Sequence, residues 1–337
     1  MERNLTSLSI AALFSLLFAG IAASQDTRLV EAAKKEGGKA VIYGSIESET
    51  LELIEKAFRK KTGLEVDYWR ASATKVMDRA LSEIRAGKPL FDLVLTIDNA
   101  MQIMQKEGVF ARYDSPTAKD FPKEAIDPNL GPSYRNTPIG IVYHKGVIKP
   151  ADAPKSLEEL VKPQYKGKLV MPDPTQHTTT IQWLASLPKI MAKERAERFI
   201  RDLAATKPLL VESLTPSGER VTTGETPLAI TFLKNVVIHG QKGVPLDYVR
   251  LGKFLGDGHY IALGSRAPHP NAGKAFIDFF LDDESMAIMA KIGEFVNRKG
   301  VYPPLPDADK IQLIEMIRLD TKGFAEKRKE YEKLFLQ

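Results

Sequence analysis

The segment from residue 39 to residue 109 alternates three times between a short apolar run and a longer amphipathic one. The apolar runs KAVIYGS, LEVDYWRA and FDLVLTID are rich in β-branched and aromatic residues, which is typical of buried strands. Runs between them, such as ETLELIEKAFRKKTG, carry apolar residues at helical spacing and end at glycine. This β-α-β-α-β-α order predicts an α/β fold with a mostly parallel sheet and helices on both of its faces.

Polar residues follow each of these strands. In a sheet of this kind, ligands bind at the carboxyl ends of the strands. That rule selects a first set of candidate ligand-binding residues, which consists of Ser45, Glu47, Ser72, Thr96 and Asp98.

The α/β pattern continues through the rest of the chain without an internal repeat. A chain of 337 residues is too long for one ordinary hydrophobic core, so we expect two lobes. The last helices, which follow the loop APHPNAGK, are expected to return and cover the first sheet, with Asn271 as the N-cap. We place residues 25–137 and 265–337 in lobe 1 and residues 138–264 in lobe 2.

Composition excludes several classes of protein and site. The net charge is only +5, and lysine and arginine are interspersed with acids, so no basic run predicts nucleic-acid binding. Cysteine is absent, which excludes disulfides, thiolate metal sites, a cysteine nucleophile and a lipid-modified N-terminal cysteine.

Residues 1–24 have the form of a secretory signal peptide. Arg3 precedes an apolar run from Leu8 to Ala23, and Ala22 and Ser24 occupy the two positions that signal peptidase reads. The alternative is a membrane anchor, but the run is shorter than the roughly 20 apolar residues that a spanning helix needs. We therefore expect cleavage near Gln25 and a mature protein in the periplasm.

Two loops in the second half of the chain have the composition of an anion site. The loop PDPTQHTTT lies between a predicted strand and a predicted helix, where hydroxyl and free backbone N–H groups attract anions. Its candidates are Thr175, Gln176, His177, Thr178 and Thr179. The loop TPSGER supplies Ser217, Gly218 and Arg220 at a further predicted helix start, and the fork of an arginine suits phosphate or carboxylate.

Each of these features also has a purely structural interpretation. A threonine run at the start of a helix often serves only as a cap. Arg220 equally suits an ion pair at the surface. Arg135, which precedes the predicted strand PIGIVYHKG, is a further candidate for binding an anion.

Four segments, taken in order, resemble a bacterial periplasmic solute-binding protein of an ABC importer. They are VIYGS with ETLELIEKAFRKKTGLEVDY, GKPLFDLVLT, GIVYHKGVI with PKSLEELVKPQYKGKLVMPDP, and APHPNAGKAFIDFFLDDESMAIMAKIGEFVNRKGVYPP. The resemblance spans nearly the whole mature chain and is greatest to the binders of ferric iron and small anions, including phosphonates and phosphorylated sugars. It implies a two-lobed, type II-like fold with two crossover strands as a hinge, near Thr137–His144 and near His259–Ser265.

The resemblance also implies a function. Proteins of this kind close on a ligand and deliver it to a membrane permease, without changing it chemically. We therefore expect a monomeric binding protein, not an enzyme, that uses no cofactor and captures a small anion or a ferric–anion complex.

The ferric members of the family use a pair of adjacent tyrosines in the second lobe, a carboxylate or histidine in the first, and a synergistic anion. In the matching stretch AITFLKNVV, Thr231 and Phe232 stand where the tyrosines would be, and Ser45 and Glu47 occupy the first-lobe position. These departures argue against direct coordination of iron, a hard ion that prefers anionic oxygen ligands. Thr231 stays a candidate ligand-binding residue. The candidates for a different metal site are Glu47, Asp98 and His177.

Two other functions fit a similar fold. One is an exported hydrolase that acts on a phosphorylated or carboxylated small molecule, but the sequence holds no Gly-x-Ser-x-Gly and no His-Glu-x-x-His motif. The other is a sensor partner that presents its ligand to a membrane receptor.

Overall fold

The computed structural model describes residues 27–336, and the chain divides into two compact units. Within the described residues, unit 1 comprises 27–132 and Tyr260–Ser285, and unit 2 comprises Ser133–His259 and 286–336. The chain therefore passes between the units three times. The predicted signal peptide, residues 1–24, lies outside the described residues.

The secondary structure follows the predicted α/β alternation. The α-helices are α1 (27–35), α2 (Ser48–Thr62), α3 (Ala73–Arg85), α4 (Asp98–Lys106), α5 (Thr178–Ser186), α6 (Lys193–Ala205), α7 (Leu214–Thr222), α8 (Lys234–Gly240), α9 (Pro270–Phe280), α10 (Asp283–Lys291) and α11 (Thr321–Phe335). The strands are β1 (Lys39–Gly44), β2 (Glu65–Arg70), β3 (Leu93–Ile97), β4 (Phe110–Ala111), β5 (Ile126–Asp127), β6 (Gly131–Pro132), β7 (Arg135–His144), β8 (Leu169–Pro172), β9 (Leu209–Val211), β10 (Leu228–Phe232), β11 (Leu246–Tyr248), β12 (Lys253–Gly264), β13 (Phe295–Val296) and β14 (Gln312–Glu315). Across residues 27–336, no helix is long and apolar enough to span a bilayer.

Unit 1 is built on the predicted parallel sheet. Its strand order is β2-β1-β3, followed by the last residues of β12, and β1 pairs in parallel with both β2 and β3. Helix α9 covers this sheet as expected, and its Phe276 packs edge-on against Phe58 of α2 at 5.1 Å between ring centroids. The α/β fold and the return of α9 to the first sheet are therefore confirmed.

The predicted cap of α9 is wrong. Asn271 lies inside the helix, which begins at Pro270. The helix start is satisfied instead by Glu36, whose carboxylate accepts hydrogen bonds from the backbone N–H groups of Asn271 (2.9 Å) and Ala272 (3.3 Å). A distant carboxylate thus satisfies donors that the helix leaves unpaired and also faces the positive end of its dipole.

Unit 2 is built around the long, almost wholly buried strand β7. Its strand order is β12-β7-β10-β8-β9, in which β7 is antiparallel to β12 and β10. Strands β11 and β13 also pair with β7, and β14 runs parallel to the start of β12. Trp183, Phe199 and Tyr331 are among the fully buried side chains of the core of unit 2.

The unit boundaries differ from the prediction. The chain crosses after Pro132 and after His259, somewhat earlier than expected, and residues 286–336 belong to unit 2 although they were predicted in lobe 1. The physical reason is pairing and burial. Strand β13 pairs with β7, and Tyr331 of α11 is buried in the core of unit 2. Strand β12 runs unbroken through the second crossing, as expected of a crossover strand.

Candidate functional site

The carboxyl ends of β1 and β3 bring two predicted site residues of unit 1 together. The hydroxyl groups of Ser45 and Thr96 are 2.7 Å apart, and the Ser45 backbone N–H donates to the carbonyl oxygen of Leu95 at 3.0 Å. Thr96 is fully buried and Ser45 is partly exposed. Of the two hydroxyl groups, that of Ser45 is therefore the one that solvent can reach.

Three helices of unit 1 start beside this edge of the sheet. Ser72 caps α3 by accepting from the Lys75 backbone N–H at 3.4 Å. Glu47 occupies the N-cap position of α2, and Asp98 lies in the first turn of α4, where Gln102 donates to it at 3.2 Å. Carboxylates at helix N-termini take the place that an anion would otherwise favour. Unit 1 therefore offers hydrogen-bond acceptors more than an anion site.

In unit 2, helix α5 begins directly after the loop that follows β8. His177 is its N-cap, and the ring nitrogen Nδ1 accepts from the Thr180 backbone N–H at 3.3 Å. Thr178, in the first turn, is exposed, and the next residue, Thr179, is partly exposed. Burial of His177 lowers the pKa of its imidazole, since the charged form loses contact with water. A neutral ring suits its role as an acceptor at the cap.

We expect His177 to make unit 2 less stable as pH falls. The unfolded chain binds a proton near the ordinary histidine pKa of about 6.5, whereas folded His177 stays neutral to a lower pH. Protonation therefore favours the unfolded chain, and stability is lost as the pH falls below about 6.5. His177→Asn keeps a side-chain acceptor at the cap and should flatten the dependence of Tm on pH between about pH 7.5 and 5.5. His239→Asn is a second test of the same argument and should also flatten the curve, because burial lowers the pKa of His239 too. A His177→Asn curve parallel to that of the wild type would contradict this prediction.

The rest of the loop PDPTQHTTT is held in place by Asp173, which is not among the predicted site residues. Asp173 accepts from the Thr175 hydroxyl (2.7 Å), the Thr175 backbone N–H (2.8 Å) and the Gln176 amide (3.1 Å). Thr175 is buried, so its hydroxyl is used within the loop. The signal in the sequence is Asp-Pro-Thr, because an aspartate side chain often bonds to the backbone two residues further on.

The second predicted loop, TPSGER, does not precede a helix but lies within one. Helix α7 already begins at Leu214, so Ser217, Gly218 and Arg220 lie inside it. Ser217 is fully buried and its hydroxyl donates to the carbonyl oxygen of Ile230 at 2.9 Å, which attaches α7 to β10. The prediction of an anion site at the start of this helix is wrong, because the helix begins before the Ser-Gly pair.

The other residues near α7 have structural contacts too. Thr231 is fully buried and donates to the carbonyl oxygen of Leu214 at 2.7 Å. A Cβ on Gly218 would lie 2.3 Å from Nδ2 of Asn235, so glycine permits close packing there. Arg220 forms an ion pair with Glu225 at the surface, which is the alternative that the sequence left open.

Arg135 lies in a buried charged cluster at the start of β7. Its Nη1 is 2.9 Å from Oε1 of Glu294, and Nζ of Lys234 is 3.1 Å from the same oxygen. The side chains of Arg135 and Glu294 are only 3% and 4% exposed. Two cations thus share one carboxylate, and the three side chains together carry one net positive charge. The sequence does not indicate this cluster, because Lys234 and Glu294 are far from Arg135 along the chain.

The described residues hold no metal-ligating cluster of histidine, cysteine, aspartate and glutamate side chains. Between residues 27 and 336, no group of three or more histidine, cysteine, aspartate or glutamate side chains could hold a metal ion. Glu47, Asp98 and His177 therefore do not make up such a group in this structure.

Known bacterial solute-binding proteins are similar to this chain in sequence and in fold. The family model described as "Bacterial extracellular solute-binding protein" matches residues 40–293. A probable ABC transporter periplasmic-binding protein of Sinorhizobium fredii is 34% identical over 130 residues, which cover 38% of this chain and 36% of that protein. The match thus spans little more than a third of that relative.

Two solved structures show the same fold. The periplasmic binding protein AfuA of Actinobacillus pleuropneumoniae, with fructose-6-phosphate bound, superposes with a TM-score of 0.64 at 19% identity, over 89% of this chain and 97% of AfuA. Iron-bound HitA of Pseudomonas aeruginosa gives a TM-score of 0.65 at 20% identity, over 88% of this chain and 98% of HitA.

Proposed function

Because the chain belongs to the bacterial extracellular solute-binding protein family, we propose that it captures a small anionic solute and delivers it to an ABC-type permease. The family match confirms the resemblance drawn from the sequence and favours a binding protein over the exported hydrolase. Capture of the solute in the periplasm, hinged closure on it and its release to the permease form the mechanism that we propose.

The start of α5 is the observation that carries the anionic part of this proposal. Thr178 and Thr179 present hydroxyl groups in the first turn of a nine-residue helix, whose N-terminal end is positive. No acidic side chain lies in that first turn. In unit 2, the cations Arg135 and Lys234 share the carboxylate of Glu294. Unit 2 is therefore the unit that we expect to hold the negative group.

Unit 1 suggests what the rest of the solute is. Ser45 is a partly exposed hydroxyl, and Glu47 and Asp98 are carboxylates at helix starts. All three accept hydrogen bonds from hydroxyl groups, and the two carboxylates repel an anion. We infer that the solute joins a phosphate or carboxylate to a hydroxylated body, as a sugar phosphate does, and the fructose-6-phosphate bound to AfuA has this chemistry.

A ferric–anion complex is the second candidate solute. It is favoured by the likeness to iron-bound HitA and by the carboxylates of unit 1. Iron bound through a synergistic anion would need fewer protein ligands, which suits a chain without the tyrosine pair.

A thermal-shift titration tests the proposal. The panel is fructose-6-phosphate, fructose, inorganic phosphate, a simple phosphonate, citrate and ferric citrate. We expect fructose-6-phosphate to raise the Tm in a saturable way and more than either fructose or phosphate. Thr178→Val combined with Thr179→Val should abolish the shift, whereas Thr223→Val, an exposed threonine at the end of α7, should leave it intact. A shift that survives the double substitution would disprove the assignment to α5, and a shift with ferric citrate alone would favour the second candidate.

A further inference from the structure

In unit 2, strands β7 and β12 are buried along most of their length, and they share one position that solvent reaches. From Phe254 to His259 of β12, every residue is buried except Asp257. Thr137, which pairs with Asp257 in β7, is also partly exposed, whereas the residues from Pro138 to Tyr143 are all buried. The sheet thus presents a carboxylate and a hydroxyl group to solvent between covered stretches of two strands.

This polar pair begins where the hydrophobic core of unit 2 ends. Side chains two residues apart in a strand lie on the same face of the sheet. Leu255 and Ile139, each two residues from the pair, both belong to the core. The Thr137 hydroxyl donates to the backbone carbonyl oxygen of Asp257 at 3.5 Å. The carboxylate of Asp257 therefore lies at the margin of the core, where a lower dielectric constant strengthens a hydrogen bond to it.

Helix α5 joins this pair to the threonines at its own start. The amide nitrogen Nε2 of Gln182, a partly exposed residue, donates to Oδ1 of Asp257 at 3.4 Å. Gln182 follows Thr178 by four residues and Thr179 by three, so the three side chains are neighbours on one side of the helix. One helical turn, about 5.4 Å, separates Thr178 from Gln182 along the helix axis. We call Thr178, Thr179, Gln182, Asp257 and Thr137 the polar strip.

The two ends of the polar strip differ in charge. At one end, the hydroxyl groups of Thr178 and Thr179 and the positive end of the helix dipole favour an anion. At the other end, the carboxylate of Asp257 repels an anion and accepts hydrogen bonds from hydroxyl groups. A carboxylate can accept about four hydrogen bonds, and the one from Gln182 is long at 3.4 Å. A hydroxyl group of a solute can therefore bond to Asp257 as well.

We propose that Asp257 determines the specificity of the solute site, because it accepts a hydrogen bond from a hydroxyl group of the solute and excludes a second anionic group. The inference rests on the proposed function, which places the negative group of the solute at the start of α5. It narrows the class of solute to hydroxylated molecules with one anionic group, such as sugar monophosphates. A bisphosphate, or a tricarboxylate such as citrate, would bring a negative group against Asp257. Gln182 is a positioning residue, which orients that carboxylate.

Calorimetric titration of the full mature protein with three phosphates tests this proposal. Fructose-6-phosphate has one anionic group and a hydroxylated body, fructose-1,6-bisphosphate adds a second anionic group, and propyl phosphate lacks the hydroxyl groups. We expect fructose-6-phosphate to bind at least about tenfold more tightly than either of the others, since a hydrogen bond to a charged acceptor contributes a factor of that order. Thr178→Val combined with Thr179→Val should weaken all three, because each has a phosphate.

Two substitutions at the other end of the strip should change the preference among the phosphates. Asp257→Asn, which removes the charge but keeps the shape, should weaken fructose-6-phosphate about tenfold, tighten the bisphosphate and leave propyl phosphate unchanged. Unchanged binding of propyl phosphate also shows that the variant is folded. Gln182→Met keeps the carboxylate, so it should weaken fructose-6-phosphate less and still exclude the bisphosphate. Asp202→Asn, at an exposed aspartate of α6, is the matched control.

The outcomes separate this proposal from the proposed function. If the wild type binds fructose-6-phosphate but Asp257→Asn binds all three phosphates as the wild type does, the role of Asp257 is wrong and the proposed function stands. A wild type that binds the bisphosphate as tightly as fructose-6-phosphate would overturn the role of Asp257 in the same way. If the wild type binds none of the three, the assignment of a phosphorylated solute is itself wrong, and the role of Asp257 fails with it.

Discussion

Glu294→Ala is expected to lower the free energy of unfolding by about 3–5 kcal/mol, because it leaves two cations without their shared carboxylate. Arg135 is almost completely buried and Lys234 is mostly buried, so water replaces the lost carboxylate poorly. Urea-induced unfolding followed by far-UV circular dichroism measures the loss.

The controls for this prediction separate burial from charge. Glu294→Gln keeps an acceptor oxygen and should lose less stability than Glu294→Ala. Glu107→Ala breaks the exposed ion pair with Arg85 and should cost less than about 1 kcal/mol. If Glu294→Ala costs no more than Glu107→Ala, the cluster contributes nothing and the prediction is wrong.

Tyr331→Ala should also cost about 3–5 kcal/mol, because it leaves a large cavity in a packed core. Tyr331 is completely buried, belongs to the core of unit 2 and packs edge-on against Phe335 at 6.5 Å between ring centroids. Lys322→Ala, on the same helix but exposed, is the control and should be nearly neutral. A small loss with Tyr331→Ala would mean that α11 does not belong to unit 2.

Tyr331→Phe distinguishes packing from hydrogen bonding at the same site. Among the described residues, the Tyr331 hydroxyl has no hydrogen-bond partner, and burial raises its pKa, so the group stays neutral. Removing a buried hydroxyl that makes no bond should leave stability unchanged or raise it slightly. A clear loss with phenylalanine would show that the hydroxyl does have a partner.

The sequence predicts the fold well where local patterns decide it. Strands β1, β2 and β3 and helices α2, α3 and α4 follow from the period of apolar residues, and the contact of Ser45 with Thr96 follows from the parallel order of the strands. These features depend on residues that are near each other in the chain or on a general rule of sheet topology.

The sequence predicts much less where distant segments decide the outcome. Asn271 lacks the cap role because Glu36, 235 residues away, takes the place of a local cap. Ser217 lies in a helix interior because α7 begins earlier than the Ser-Gly pair suggests. Arg135 meets Glu294 only through the pairing of β7 with β13, which no local pattern reveals. The nature of the bound solute stays a prediction for the same reason, since it depends on side chains from many segments.

Two carboxylates of unit 1 accept hydrogen bonds from residues far along the chain, and this affects when unit 1 can fold. Asp92 accepts from the His269 backbone N–H across 177 residues, and Glu36 accepts from Asn271 across 235. Long separations of this kind slow folding, because a large chain loop must close before the contact forms. A ribosome has therefore made most of the polypeptide before its earliest-made portion can reach a native state. That delay keeps the nascent protein unfolded for longer, which suits the periplasmic destination that we propose for it.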